Sequence, residues 1–130
     1  MASSSTFLRA IEFKADFPDD HMEEDGEITR ASGMSLSGAI ADLLRSVGVD
    51  SSTPSLDVEH DSWEFYAEWP GRKFWLLVTD MGEKKLIQTE DASPLLKRIF
   101  SGNAAYVEFL GTLHSAISSD PRFNALEWVS

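Results

Sequence analysis

Residues 63–90 read WEFYAEWPGRKFWLLVTDMGEKKLIQTE, and this stretch decides the fold class. Trp63, Phe65, Ala67 and Trp69 alternate with Glu64, Tyr66 and Glu68. A period of two with one aromatic and one polar face predicts a half-buried strand. Trp69-Pro70-Gly71-Arg72 then reads as a turn, because Pro presets φ at its second position and Gly allows positive φ at its third. From Lys73 to Thr79 the chain is apolar on both faces, with Phe74, Leu76 and Val78 set against Trp75 and Leu77. Such a strand is expected at the centre of a sheet. Asp80-Met81-Gly82-Glu83 is a second turn. Lys85 to Thr89 returns as a third strand, and its Lys84-Lys85 start suits a solvated edge. The expectation is a three-stranded antiparallel meander.

Outward from the meander the signals are mostly local. Residues 1–6 are small and polar and read as a flexible start. Phe7, Ile11 and Phe13 fall on one face of a strand that Phe17-Pro18 ends. Residues 15–34 form an acidic loop, in which seven of the twelve residues from Asp16 to Glu27 are acidic. Like charges so dense repel one another. A first helix opens at Ser35 as N-cap and carries Leu36, Ile40, Leu43, Leu44 and Val47 on one face. Gly48 stops it, and Gly38 within it could serve a close approach to the sheet. Leu56 and Val58 suggest a short strand. Ser93-Pro94 starts a second helix bearing Leu95, Leu96, Ile99 and Phe100, which Gly102 ends. Asn103 caps a third, from Ala104 to about Ser118, which Asp120-Pro121 stops. Phe123, Leu126, Trp128 and Val129 must be pinned against the body, with room for a last short strand. The predicted fold is α+β: one domain over residues 1–130, with a single antiparallel sheet of four or five strands and three helices packed on one face.

Composition narrows the function classes. The chain has 130 residues and no cysteine, so disulfide scaffolds and thiolate metal sites are excluded. No secretory leader pattern and no apolar run of membrane-spanning length stands out, and the expected location is cytoplasmic. With 11 basic against 22 acidic residues the net charge is −11. Such a surface repels phosphate backbones and anionic membranes, so neither nucleic acid nor membrane is an expected partner. It attracts a basic protein.

Catalytic patterns do not assemble. His21, His60 and His114 sit in the acidic loop, a turn and a helix face, with no ligand spacing. Aligning Gly26 with the glycine of an EF-hand loop puts His21 at the first ligand position and Ser32 at the last, so that template fails. No Ser lies in a G-x-S-x-G elbow, and no phosphate-cradling glycine loop occurs. Carboxylate pairs such as Asp57 with Glu59, or Glu64 with Glu68, are expected by chance in so acidic a chain. No cofactor and no metal site is predicted. What stands out is the outward face of the meander, where Glu64, Tyr66, Glu68 and Trp75 form an aromatic patch ringed by carboxylates, and the loop acids Asp19, Asp20, Glu23, Glu24 and Asp25. Aromatic residues inside a charged rim are the composition of a protein interface.

In overall style the chain resembles bacterial immunity proteins, which neutralise a partner toxin. The likeness covers the whole chain and lies in its small size, acidity, lack of cysteine, α+β pattern and absence of catalytic motifs. It implies a non-enzymatic protein that binds and neutralises a basic partner. Two alternatives stand beside it. A secretion chaperone is also small and acidic but usually begins with a helix and dimerises; homodimerisation is left open here. A small enzymatic or ligand-binding domain requires a deep pocket between sheet and helices.

Overall fold

The computed structural model describes residues 9–17, 22–24, 27–30, 33–59, 61–69, 71–94 and 104–129. Among these the strands are Ala10–Ala15 (β1), Met22–Glu24 (β2), Glu27–Arg30 (β3), Asp50–Ser51 (β4), Ser55–Asp57 (β5), Ser62–Glu68 (β6), Lys73–Met81 (β7), Lys84–Asp91 (β8) and Phe123–Val129 (β9). The helices are Met34–Ser46 (α1) and Ala104–Ser118 (α2). The meander is present as β6, β7 and β8, paired antiparallel with Trp63 opposite Val78 and Leu77 opposite Gln88. Gly71 and Gly82 both have positive φ, 75° and 89°. Met81 faces Lys84, so Gly82-Glu83 is a two-residue hairpin loop whose first position needs the glycine.

The sheet is larger than expected. Seven antiparallel strands run in the order β4-β6-β7-β8-β1-β9, with β5 also paired to β6. This corrects the expectation of four or five strands. The short strand suggested at Leu56 is β5 and the last strand allowed for at the end is the seven-residue β9; the wholly unforeseen addition is the two-residue β4, too short to show a period. Three helices are likewise corrected to two among the described residues. The helix expected over Leu95, Leu96, Ile99 and Phe100 lies outside them, as do the N-cap Asn103 and residues 1–8.

A second correction concerns β8. Its Lys84-Lys85 start suggested an edge, yet β1 pairs along its other side, with Ile11 opposite Ile87. Lys85 is buried and donates to Asp80 Oδ1 and the Gly82 carbonyl, each at 2.6 Å. Its charge therefore serves a buried ion pair that also supports the hairpin loop, where Gly82 N donates to the same Asp80 oxygen at 3.0 Å.

One face of the sheet carries the core. Ile11, Phe13, Phe65, Ala67, Phe74, Leu76, Val78, Ile87 and Phe123 pack with Leu36, Ile40, Ala41 and Leu44 of α1 and Phe109, Leu110, Leu113 and Ile117 of α2. The Phe74 ring stacks on Phe109 at 4.4 Å and on Tyr106 at 5.7 Å between centroids. His114 stacks on Trp128, which holds the β9 tail against α2. The acidic stretch, read as a loop, contains the two-stranded antiparallel hairpin β2-β3.

The α1 cap also differs from expectation. Gly33, not Ser35, precedes the first turn, at φ 106°, and its carbonyl accepts from Ser37 N at 2.8 Å. A Cβ there would meet Trp63 Cδ1 at 3.4 Å and Asp80 Cβ at 3.6 Å. At the far end Gly48 N donates to the Arg45 carbonyl and Val49 N to that of Leu44, the paired bonds of a glycine-terminated helix. Gly38 makes no close approach to the sheet: a methyl group built on it meets nothing within 4 Å. Gly33→Ala is therefore expected to cost about 1–2 kcal/mol of stability. Gly38→Ala should add about 0.5–1 kcal/mol. Opposite shifts of the two urea midpoints, at unchanged slope, check both.

Candidate functional site

The face of the sheet turned away from α1 and α2 is built by alternation. On β6 the inward residues Trp63, Phe65 and Ala67 leave Ser62, Glu64, Tyr66 and Glu68 pointing out. On β7 the same rule turns Lys73, Trp75, Leu77, Thr79 and Met81 outward. Register then assembles rows across the strands. Ser55, Glu64, Leu77, Gln88, Ala10 and Val129 follow one another along one row. Tyr66, Trp75 and Glu90 form the next.

The centre of this face is apolar. Leu77 is only 5% exposed although it lies on the outer side, and Trp75 and Leu86 are half-buried. Trp75 Nε1 donates to Glu64 Oε2 at 3.1 Å, which orients both groups. Lys73 Nζ stands 4.4 Å from the centre of the Tyr66 ring. Along β8 the twisted sheet leaves a groove of about 550 Å³, with Trp75 and Met81 on one side and Arg9, Glu12 and Val129 on the other.

The surround is acidic. Glu12, Asp50, Asp57, Glu64, Glu68, Glu90 and Glu127 share the outer face, with Lys73 opposite Glu68, Lys84 opposite Met81 and Arg9 bordering the groove. Two carboxylate pairs stand directly opposite each other across strands, Glu12 with Glu127 and Asp50 with Glu68. Like charges so placed destabilise a sheet. Lys84 relieves one pair: its Nζ reaches Glu12 Oε1 at 3.0 Å. That hydrogen bond, with the charges of Glu12, Glu127 and Glu83, holds the Lys84 ammonium above its ordinary range.

Glu64, Tyr66, Glu68 and Trp75 are thus brought together on one face, as their alternation predicts. Glu23 and Glu24 lie on β2, in the separate hairpin. Asp19, Asp20 and Asp25 lie outside the described residues, as do His21 and His60. Sequence reasoning missed Leu86, Ala10 and Val129 of the groove, and Glu12, Asp50, Glu90 and Glu127 of the rim. Period two could have marked Leu86 and Glu90 as outward partners of Trp75. Nothing local could have placed β1 and β9 beside them.

Other titratable groups are engaged in holding the fold. Arg72, buried, donates from Nε to Ser93 Oγ at 2.9 Å and from Nη2 to Asp91 Oδ2 at 2.5 Å. Tyr106 hydroxyl bonds Thr89 Oγ1 at 2.7 Å, and burial pushes this phenol up. Among the described residues no group of three His, Asp or Glu side chains could hold a metal ion, and no helix is long and apolar enough to cross a membrane. Compared with protein-family models, curated proteins and solved structures, the chain matches none of them.

Proposed function

We propose that this is a non-enzymatic binding protein whose outer sheet face docks a basic protein partner, in the manner of an immunity or antitoxin protein that neutralises a toxin. One observation carries the reading: an apolar centre of Trp75, Leu77 and Leu86 sits inside a rim where Glu12 opposes Glu127 and Asp50 opposes Glu68. Opposed carboxylates, offset in part by Lys84 on Glu12 and by Lys73 opposite Glu68, cost stability in the free protein, and the rest of that cost falls when a cationic surface covers them. Apolar centre and charged rim together have the make-up of an interface. The acidic stretch with Asp19, Asp20, Glu23, Glu24 and Asp25 adds to the field that steers such a partner.

The test is affinity capture from the source organism with the native chain and with a variant carrying Glu64→Gln, Glu68→Gln, Glu90→Gln and Glu127→Gln. The expected result is a basic protein retained by the native chain, released by salt, and associating with the variant at least about tenfold more slowly. Equal association rates for both forms would remove the outer face from the function. Neutralising Asp19, Asp20, Glu23 and Glu24 together should slow association further, and an unchanged rate there would exclude the acidic stretch alone.

A further inference from the structure

We infer that the groove along β8 is an anchor site for an arginine side chain of the partner, with the guanidinium plane over Trp75 and its N–H groups on Glu90. This deepens the basic-partner reading and rests on it. Trp75 and Glu90 are directly opposite in register, so an aromatic face and a carboxylate open on the same row. The Trp75 indole is held by its bond to Glu64, which leaves its edge committed and its face fixed beside the groove. Glu90 is exposed. The same row already shows the chemistry once: Lys73 lies over Tyr66, the cross-strand partner of Trp75. Among the described residues no cation of the chain occupies the equivalent place over Trp75.

The ligand class follows from shape and charge. Tryptophan is the strongest aromatic partner for a cation, and a desolvated groove strengthens the contact. A planar guanidinium stacks on the indole while its fork pairs with a carboxylate two bonds at a time. An ammonium can do only one of these well, and it keeps more of its hydration. Leu86 and Ala10 in the same groove fit the apolar stem of the side chain. Arg9 lines the same groove, so the guanidinium binds against its repulsion, and the contacts to Trp75 and Glu90 have to exceed it.

Hexa-arginine and hexa-lysine peptides serve as probes, because their net charges match and simple attraction to the acidic surface cancels in the ratio of their affinities. Titration is followed by the backbone amide resonances of the outer sheet face in the full chain, which the native protein and both variants share. The native protein is expected to bind hexa-arginine about fivefold more tightly than hexa-lysine. Trp75→Leu should bring that ratio to about one, and Glu90→Gln, an exposed change with little bearing on folding, should reduce it by about half. Equal affinities in the native protein, or a preference that survives both substitutions, overturn the arginine anchor while leaving the basic-partner reading in place. Failure of either peptide to perturb any outer-face resonance overturns both.

Discussion

Asp91→Ala is expected to lower the unfolding free energy by about 3 kcal/mol or more, measured by urea denaturation at neutral pH. Asp91 receives Arg72 Nη2 at 2.5 Å and Ser93 N at 3.0 Å, and its side chain is only 12% exposed. Arg72 is 5% exposed and its Nη1 lacks a hydrogen-bond partner among the described residues, so removal of the carboxylate leaves a buried guanidinium whose remaining side-chain acceptor among them is Ser93. The cluster also fastens the turn between β6 and β7 to the end of β8. Ser93 Oγ accepts from Lys73 N at 2.9 Å, and Ala92 N donates to the Lys73 carbonyl at 2.8 Å. Replacing both charges, as Arg72→Met with Asp91→Leu, should cost less than Asp91→Ala alone, because no unpaired ion stays behind. A double variant as unstable as the sum of the two single changes would show that the pair is not coupled.

The same site carries an acid dependence. Burial pushes the Asp91 carboxyl up, but the hydrogen bonds from Ser93 and the guanidinium of Arg72 outweigh it and hold the group below its usual range. A carboxyl lowered on folding stabilises the native state above its unfolded value of about 3.9. That contribution is lost as pH falls through the folded value. Stability of the native chain should therefore drop more steeply below about pH 4 than that of Asp91→Asn, and parallel curves would contradict the assignment.

Phe74→Ala is the second large effect, expected to cost about 3–5 kcal/mol. The ring is fully buried and stacks on both Phe109 and Tyr106, so it joins the start of β7 to the first half of α2. Stacked pairs add about 0.5–1.5 kcal/mol to the loss from area alone. The next residue, Trp75, faces the opposite way and is half-buried, and Trp75→Ala should cost only about 1 kcal/mol. Chevron analysis of the two variants separates a core residue from a surface one by one step along the strand. Similar losses for both would mean that the outer face is covered as well as the inner.

That contrast between adjacent residues was legible in the sequence, as were the meander and the buried side of α1 at Leu36, Ile40 and Leu44, though not Val47, which lies past the helix end and is exposed. Strand alternation, the positive-φ turns at Gly71 and Gly82 and the stop at Gly48 are local properties, set by sterics within a few residues. So is the outward grouping of Glu64, Tyr66, Glu68 and Trp75, which follows from pleat geometry once β6 and β7 pair. Lys84-Lys85 shows where local reading fails. A lysine pair at a strand start marks a solvated edge unless another strand comes to lie beside it. Whether one does depends on residues far along the chain, since Ile11 meets Ile87 and Trp128 meets Ile11.

By itself, then, the sequence determined an acidic, cysteine-free α+β chain with an aromatic meander and a net charge of −11. Tertiary structure alone decided that β1 lies between β8 and β9 in the sheet, that Lys85 is buried against Asp80, and that Glu12, Glu90 and Glu127 join Glu64 and Glu68 on one face. The physical reason is that pleat, turn and cap are short-range, whereas strand order is chosen by the burial of the whole apolar face and leaves no period in any one segment.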